Sequence, residues 1–213
     1  YTLSYTTLFR SVTSSILELL IIIAIALVIP GPNAITSFTH SGLFGKRSNI
    51  PLITGMAIGL VLMELIIGLS IESLRDSDNG IIFLHWIGMI FLALMSIAMF
   101  NINLKSIISS NSRGKLGIKT GILMQFFNGK EWAFVILIMS QFIEPLGGGK
   151  IGIITIIIIT LIVCIPAMIT WTFIGNSLSE LFLEPITGKR IVRTCGTLLA
   201  FLWIIFFIRG PQF

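Results

Sequence analysis

The sequence predicts an all-α polytopic membrane protein with six transmembrane helices. Of its 213 residues, 55% are hydrophobic and only 11% are charged, whereas a soluble domain carries about 25% charged residues. A mean hydropathy of +1.02 and isoleucine runs such as 156–159 indicate a surface that needs lipid as its solvent. Short loops separate the apolar segments, so we expect one transmembrane domain over residues 1–213. The segments cover residues 16–40, 50–71, 81–103, 118–143, 150–175 and 191–208.

The net charge of +5 comes from basic residues between the apolar segments, where they orient a membrane protein and do not indicate nucleic-acid binding. Nine of them follow the first, third and fifth segments, and four lie on the other side of the membrane. Because the cytoplasmic side carries the excess of Lys and Arg, we expect a multi-pass protein of the bacterial inner membrane with both termini outside the cytoplasm. The nine are Lys46, Arg47, Lys105, Arg113, Lys115, Lys119, Lys189, Arg190 and Arg193.

The first apolar segment is interrupted by Pro30, Gly31, Pro32 and Asn33. Each proline removes a backbone donor and clashes with the preceding turn, and Gly31 adds flexibility between them. We expect a broken helix whose second half is capped by Asn33, with backbone carbonyls freed at membrane depth. Such groups are tolerated there only where protein or a cavity satisfies them. The alternative is a packed structural kink, since single prolines are common in membrane helices.

The fourth apolar segment is interrupted by Asn128, Gly129, Lys130 and Glu131. Asn-Gly is a turn dipeptide, and two opposite charges follow it in an otherwise apolar stretch. A charge at the bilayer centre costs at least about 2.5–3.5 kcal/mol on insertion scales, so we do not expect Lys130 and Glu131 to face lipid. The alternative is a solvated loop, but the pieces on either side of it are too short to span a bilayer alone.

The two interruptions occupy corresponding positions in two halves of three segments each, about residues 16–103 and 118–208. Three is an odd number, so the second half enters the membrane in the opposite sense. Broken helices in such inverted repeats indicate a substrate site at the midplane. A half-helix N-terminus at this site can hold a carboxylate through its backbone N–H groups.

Four further polar or aromatic residues lie inside apolar segments. Glu64 is a candidate proton carrier, with a structural ion pair or hydrogen bond as the alternative. Gln125 and Gln141 flank the second break and line a cavity or bond between helices, and Trp171 has the same two alternatives. The cysteines Cys164 and Cys195 have no second Cys or His at ligand spacing, so we interpret them as packing residues and predict neither a metal nor a cofactor.

Three short motifs follow one another in the first half of the chain, Ile29-Pro-Gly-Pro-Asn33, Gly42-Leu-Phe-Gly45 and Gly55-Met-Ala-Ile-Gly59. Together they resemble the opening of the LysE/RhtB family of amino-acid exporters. Gln125-Phe-Phe-Asn-Gly-Lys130 followed by Ser140-Gln-Phe142 resembles the family's Asn-Pro-Lys segment and its downstream Pro-Gln-Phe. Gly129 and Ser140 replace the two prolines of that pattern. The cysteine and O-acetylserine exporters also lack the proline after Asn, and the chain looks most similar to them.

The resemblance implies secondary transport, driven by the proton gradient, that exports small amino acids or their derivatives from the cytoplasm. It implies that Pro30, Gly31, Pro32, Asn33, Asn128 and Lys130 line the central site. Lys130 would meet the substrate carboxylate, and Glu131 or Glu64 would meet its ammonium group or the coupling proton. The rival interpretations are an intramembrane enzyme and a thiol-redox membrane protein, but no Gly-x-Ser-x-Gly, His-Glu-x-x-His or Cys-x-x-Cys occurs. We therefore do not expect an enzyme. The oligomeric state stays open, a homo-oligomer included.

Overall fold

A computed structural model describes residues 5–74, 78–101 and 114–210. These residues form helices and no strand, which confirms the predicted all-α fold. The predicted charge asymmetry includes Lys105 and Arg113, which lie outside the described residues. The helices are α1 Tyr5–Val28, α2 Pro32–Phe44, α3 Asn49–Ser73, α4 Asp78–Asn101, α5 Ile118–Phe126, α6 Gly129–Phe142, α7 Gly149–Leu183 and α8 Pro185–Arg209, with a 3-10 turn over Lys46–Ser48.

Two pairs of helices form the broken segments that the sequence predicts. The axes of α1 and α2 differ by 52°, and those of α5 and α6 by 66°. At the first break Gly31 is extended, with φ −95° and ψ −175°, and Pro32 begins α2, where its missing N–H costs no helical hydrogen bond. At the second break Asn128 is extended, with φ −89° and ψ 95°, and caps α6. The predicted cap at Asn33 is wrong, because Asn33 lies inside α2.

The lengths and compositions of the helices fit a polytopic membrane protein. Lys46–Ser73, Gly149–Gly175 and Ile186–Ile208 are each long and apolar enough to cross a membrane, and each bent pair is one further candidate. The helix α4 occupies the position of the predicted third segment, with a shorter apolar stretch over His85–Ala98. Bulky side chains face outward along one stripe of α7, as expected of a lipid-facing surface. This stripe consists of Ile151, Ile154, Ile158 and Ile162.

The connection between α7 and α8 is shorter than the sequence predicts. Residues 176–190 were expected to be a loop, but α7 continues to Leu183 and α8 begins at Pro185. The helix continues beyond the apolar segment because no glycine or proline occurs between Asn176 and Glu184. The ring of Pro185 disfavours a helical conformation at the residue before it. Glu184 is accordingly extended, with φ −68° and ψ 121°.

The packing of the helices is reciprocal between the two halves. The helix α3 packs against α5 and α6, and α7 packs against α1 and α2, so each half holds the broken helix of the other. Close backbone approach makes this possible. A Cβ atom on Gly55 or Gly121 would collide with backbone atoms across the α3–α5 contact, and one on Gly175 with α2. Glycines at these crossings are typical of membrane helix pairs.

A buried polar cluster ties one end of α2 to α3, α7 and the segment before α5. The His40 ring contacts Asn49 Oδ1 through Nδ1 at 2.6 Å and accepts the backbone N–H of Leu116 at Nε2, at 2.9 Å. Asn49 Nδ2 donates to the hydroxyl of Thr172 at 2.8 Å and to the carbonyl of Ser37. These contacts hold the four segments together at the end that carries Lys46 and Arg47.

Candidate functional site

The end of α1 presents carbonyl groups that its own helix cannot satisfy. In a continuous helix the carbonyl of Ala26 would accept from residue 30, but Pro30 has no N–H. The Lys130 ammonium donates instead to the carbonyl oxygens of Ala26 and Ile29, both at 2.8 Å. The indole N–H of Trp171 donates to the carbonyl of Leu27 at 3.3 Å. The first break is therefore satisfied by side chains from the second half of the chain.

The second break is satisfied mainly by local contacts. The side-chain oxygen of Asn128 accepts the backbone N–H of Lys130 at 3.2 Å, which is an N-cap for α6. The indole N–H of Trp132 donates to the carbonyl of Phe126, the last residue of α5, at 2.7 Å. Asn128 and Lys130 are only 2% and 6% exposed. The alternative of a solvated loop at this position is therefore wrong.

The two breaks touch each other directly. Asn33 Nδ2, on α2, donates to Gln125 Oε1, on α5, at 2.7 Å. The Lys130 side chain crosses the first break at Gly31, where an added Cβ would lie 2.9 Å from Lys130 Cδ and 3.4 Å from Nζ. Any larger residue than glycine at position 31 would meet the Lys130 side chain, so the glycine and the lysine depend on each other.

A cavity with two connected compartments lies beside the breaks. The apolar compartment carries Asn33 and Gln125 at its polar end, and the acidic compartment carries Glu64, Lys130 and Thr160. Each has a cavity volume of about 40 Å³, which is room for a few water molecules. The residues that line both compartments are Leu27, Leu60, Glu131 and Cys164. The Glu131 carboxylate therefore stands where the two compartments meet.

The charged groups of the cavity are only partly engaged. Lys130 uses two of its three ammonium N–H groups on carbonyls. Glu64 is 1% exposed and its Oε2 has no hydrogen-bond partner, although Thr160 lies within reach of the carboxylate. Within the described part of the chain, no ion pair joins Lys130 to Glu64 or Glu131. The site thus holds carboxylate and ammonium groups with unused hydrogen-bonding capacity, facing one space.

The structure brings together most of the residues that the sequence singled out. Asn33, Gln125, Lys130, Glu131 and Glu64 line the cavity. The remaining residues of the breaks shape the backbone around it, and Trp171 binds a carbonyl of the first break. These backbone residues are Pro30, Gly31, Pro32, Asn128 and Gly129. Gln141 is buried on α6 and lines neither compartment, and neither of its amide atoms has a hydrogen-bond partner in the described chain.

Sequence reasoning missed two polar residues of the cavity wall, Thr160 and Cys164. Cys164 was interpreted as a packing residue, but its side chain lines both compartments. The two residues are four apart on α7 and therefore share one face of the helix. They are the only hydroxyl or thiol side chains between 156 and 169, and their spacing was the signal available in the sequence.

Comparison with known families agrees with this architecture. Residues 24–209 match the family model of the LysE type translocators. The chain belongs to that family. The match begins within α1 and ends at the last residue of α8, so it includes both breaks and every residue of the cavity except Ile23.

Relatives with described roles are distant but similar over most of their length. The chain is 23% identical over 173 residues to a cysteine/O-acetylserine efflux protein of Klebsiella pneumoniae, covering 81% of this chain and 86% of that protein. It is 24% identical over 174 residues to a homoserine/homoserine lactone efflux protein of Salmonella typhimurium, covering 79% and 84%. An uncharacterized membrane protein of Vibrio cholerae is 22% identical over 182 residues, with coverage of 80% and 89%. No solved structure matches the chain significantly.

Proposed function

We propose that this translocator exports small amino acids or their derivatives from the cytoplasm in exchange for protons. The observation that carries the proposal is the Glu131 carboxylate, which lies where the two compartments meet and has no hydrogen bond or ion pair to any described residue. A carboxylate without a partner in a membrane-spanning segment is costly, and such groups mark substrate or ion pathways. The names of the Klebsiella and Salmonella relatives, both efflux proteins for amino-acid-like solutes, support the same class of activity.

The groups around the cavity complement an amino acid. In the proposal Glu131 binds the substrate ammonium group, because it is the carboxylate common to both compartments. The remaining N–H of Lys130 and the amide N–H₂ of Gln125, which makes no described hydrogen bond, bind the substrate carboxylate. Lys130 then has two functions, since the same ammonium that holds the carbonyls of α1 also neutralises the substrate.

Competition for one carboxylate explains how protons drive export. A carboxylate that has bound a proton cannot also pair with an ammonium group, so a proton arriving from outside displaces the substrate from Glu131. Glu64 lines the same acidic compartment and supplies the second site for the proton. The breaks in the two halves would alternate their access to the two sides of the membrane, as inverted repeats do in other transporters.

The proposed setting is the bacterial inner membrane, with both termini outside the cytoplasm. The end of the bundle that carries Lys46, Arg47, Lys115 and Lys119 would then face the cytoplasm. This is also the end at which the His40–Asn49 cluster joins α2 to α3.

Substrate counterflow in proteoliposomes tests the proposal. Wild-type protein should exchange internal for external radiolabelled amino acid. The exchange rate of Glu131→Gln should be at least tenfold lower, because an amide cannot neutralise an ammonium group. Glu144→Gln is the matched control, since Glu144 is an exposed residue outside both compartments. Equal exchange by wild type and Glu131→Gln, or no exchange of any amino acid by either, would reject this proposal.

A further inference from the structure

The apolar compartment is polar at one end only. Asn33, Gln125 and the shared Glu131 supply its strongly polar groups, and the opposite walls come from α3 and α7, where the Cys164 thiol is only a weak hydrogen-bonding group. Apolar side chains form these walls, with methionines among them that adapt to different apolar shapes. They are Ile53, Met56, Ala57, Leu161, Ile165 and Met168. A solute that pairs with Glu131 therefore has its head at the amides and its body against hydrocarbon.

The two side-chain amides at the polar end of the apolar compartment, those of Asn33 and Gln125, have one unused hydrogen-bond acceptor and one unused donor group. The bond between Asn33 Nδ2 and Gln125 Oε1 leaves Asn33 Oδ1, on a side chain that is 6% exposed, with no hydrogen-bond partner. It also leaves the Gln125 amide N–H₂ without a described hydrogen bond. A buried acceptor without a partner is unfavourable. An ammonium N–H and a carboxylate or carbonyl oxygen would satisfy these two groups together.

The lining of the apolar compartment selects substrates by the polarity and charge of their side chains. The apolar compartment is lined by the Glu131 carboxylate and by no cationic side chain, because Lys130 lines the acidic compartment instead. An acidic substrate would bring a second anion with no partner among the compartment walls. A hydroxyl or amide on the substrate side chain would lose its water without gaining a hydrogen bond, and burying such a group is unfavourable.

We propose that the transported solutes are amino acids, or carboxyl-modified amino acids, whose side chain is aliphatic and uncharged. This inference rests on the proposed function and narrows it to one substrate class. The apolar walls on α3 and α7 match aliphatic side chains in polarity, and the two methionines allow several shapes. Specificity then depends on α3 and α7, and the residues of the breaks recognise the head group that all amino acids share.

Counterflow with isosteric substrate pairs tests the substrate class. Threonine has a hydroxyl where valine has a methyl group. Leucine and asparagine have similar sizes, but the asparagine side chain is a polar amide. Wild-type protein should exchange valine at least tenfold faster than threonine and leucine at least tenfold faster than asparagine, with aspartate not exchanged. If threonine and aspartate exchange as fast as valine, the inference is wrong although transport, and with it the proposed function, stands. If nothing is exchanged, the proposed function itself fails.

Variants of Ala57 test the placement of the side chain. Ala57→Phe fills the apolar compartment and should lower the ratio of leucine to alanine exchange at least tenfold. Ile58→Phe adds similar bulk at the neighbouring, exposed position of α3 outside both compartments, and should leave that ratio unchanged. Ala57→Thr is a smaller change that introduces a hydroxyl, and it should move the valine-to-threonine ratio toward threonine. Unchanged ratios in both Ala57 variants would overturn the placement.

Discussion

The ammonium nitrogen of Lys130 lies 2.8 Å from the carbonyl oxygen of Ala26, the group that Pro30 leaves without a helical partner. Two features that the sequence shows separately, a proline-broken helix and a lysine inside an apolar segment, are thus the two sides of one interaction. The break leaves carbonyl acceptors at membrane depth, and the lysine ammonium supplies hydrogen-bond donors to them. Each would be unfavourable without the other.

We predict that Lys130→Met destabilises the protein as well as preventing substrate binding. Removal of the ammonium leaves two buried carbonyl groups without donors, at roughly 1–3 kcal/mol each, so the free energy of unfolding should fall by about 2–6 kcal/mol. Thermal unfolding in detergent measures the loss. Lys119→Met is the control, because Lys119 is exposed at the start of α5. Equal melting temperatures for wild type and Lys130→Met would show that the carbonyls have other donors.

We predict that Gly31→Ala impairs transport although alanine tolerates the backbone conformation at this position. The added Cβ would lie 2.9 Å from Lys130 Cδ, and the lysine cannot withdraw without losing its two carbonyl acceptors. Overpacking of this kind costs about 1–3 kcal/mol. The matched control is Gly117→Ala, since Gly117 also precedes a helix in an extended conformation, with φ −115° and ψ −170°, and a Cβ there meets nothing within 4 Å. Counterflow rates should separate the variants, and equal rates would contradict the prediction.

The breaks could be predicted from the sequence because their causes are local. Proline lacks an N–H wherever it occurs, and Asn-Gly disfavours a continuous helix in any context. The partner of Lys130 could not be predicted in this way. Its acceptors are backbone carbonyls 104 and 101 residues away in the chain, and every residue has a carbonyl, so no side-chain pattern marks them. The prediction that Lys130 meets a solute carboxylate treated the ammonium as free, whereas two of its N–H groups are engaged.

Hydropathy could not predict the cavity wall on α7, for a different reason. This helix is apolar on all sides, so hydropathy does not distinguish the face toward lipid from the face toward the cavity. Thr160 and Cys164 lie on the cavity side only because α7 packs against α2 and α3. The end of α7 was misplaced because the end of an apolar segment was used as the end of a helix, although the chain continues helically to Pro185.

We predict that the C-terminus and the segment near Lys115 lie on opposite sides of the membrane, with Lys115 in the cytoplasm. The asymmetry of nine basic residues against four is the physical reason, since positively charged loops are retained on the cytoplasmic side. Alkaline phosphatase fusions should be active at the C-terminus and inactive after Lys115, with fluorescent-protein fusions giving the reverse. A cytoplasmic C-terminus would refute either the orientation or the number of membrane crossings.

We predict that His40→Ala costs more stability than a comparable buried histidine. Asn49 Nδ2 donates to Thr172 and Ser37, so Asn49 Oδ1 must accept from His40 Nδ1, and Nε2 accepts from Leu116. Loss of the ring leaves two polar groups without partners, which lowers the free energy of unfolding by roughly 1–3 kcal/mol for each group that stays buried.

The control for His40 is His85→Ala. His85 and His40 are equally buried, at 1% and 0% exposed. Unlike His40, His85 has no hydrogen-bond partner at Nδ1 in the described chain. Both variants lose the packing of an imidazole ring, so their difference in melting temperature isolates the hydrogen bonds. Equal destabilisation of the two proteins would mean that the cluster around Asn49 adds nothing to stability.

We predict that Glu64→Gln separates proton coupling from substrate movement. Glu64 lines the acidic compartment with Glu131 but not the apolar compartment, and its Oε2 has no hydrogen-bond partner. A glutamine keeps the size of the side chain and cannot take up or release a proton. Efflux driven by an acidic exterior should therefore fall at least tenfold, because the proton that displaces the substrate from Glu131 then lacks its second site at Glu64. Exchange of substrate at equal pH on both sides should persist, because it requires only Glu131 and the head-group contacts.

Proteoliposomes loaded with the preferred aliphatic amino acid and assayed with and without an imposed pH gradient measure both rates. Thr160→Val is the companion variant, since it removes the hydroxyl that reaches Glu64 without changing the carboxylate, and it should retain gradient-driven efflux. An unchanged response to the gradient in Glu64→Gln would give Glu64 a structural role and leave Glu131 as the carboxylate that exchanges proton for substrate.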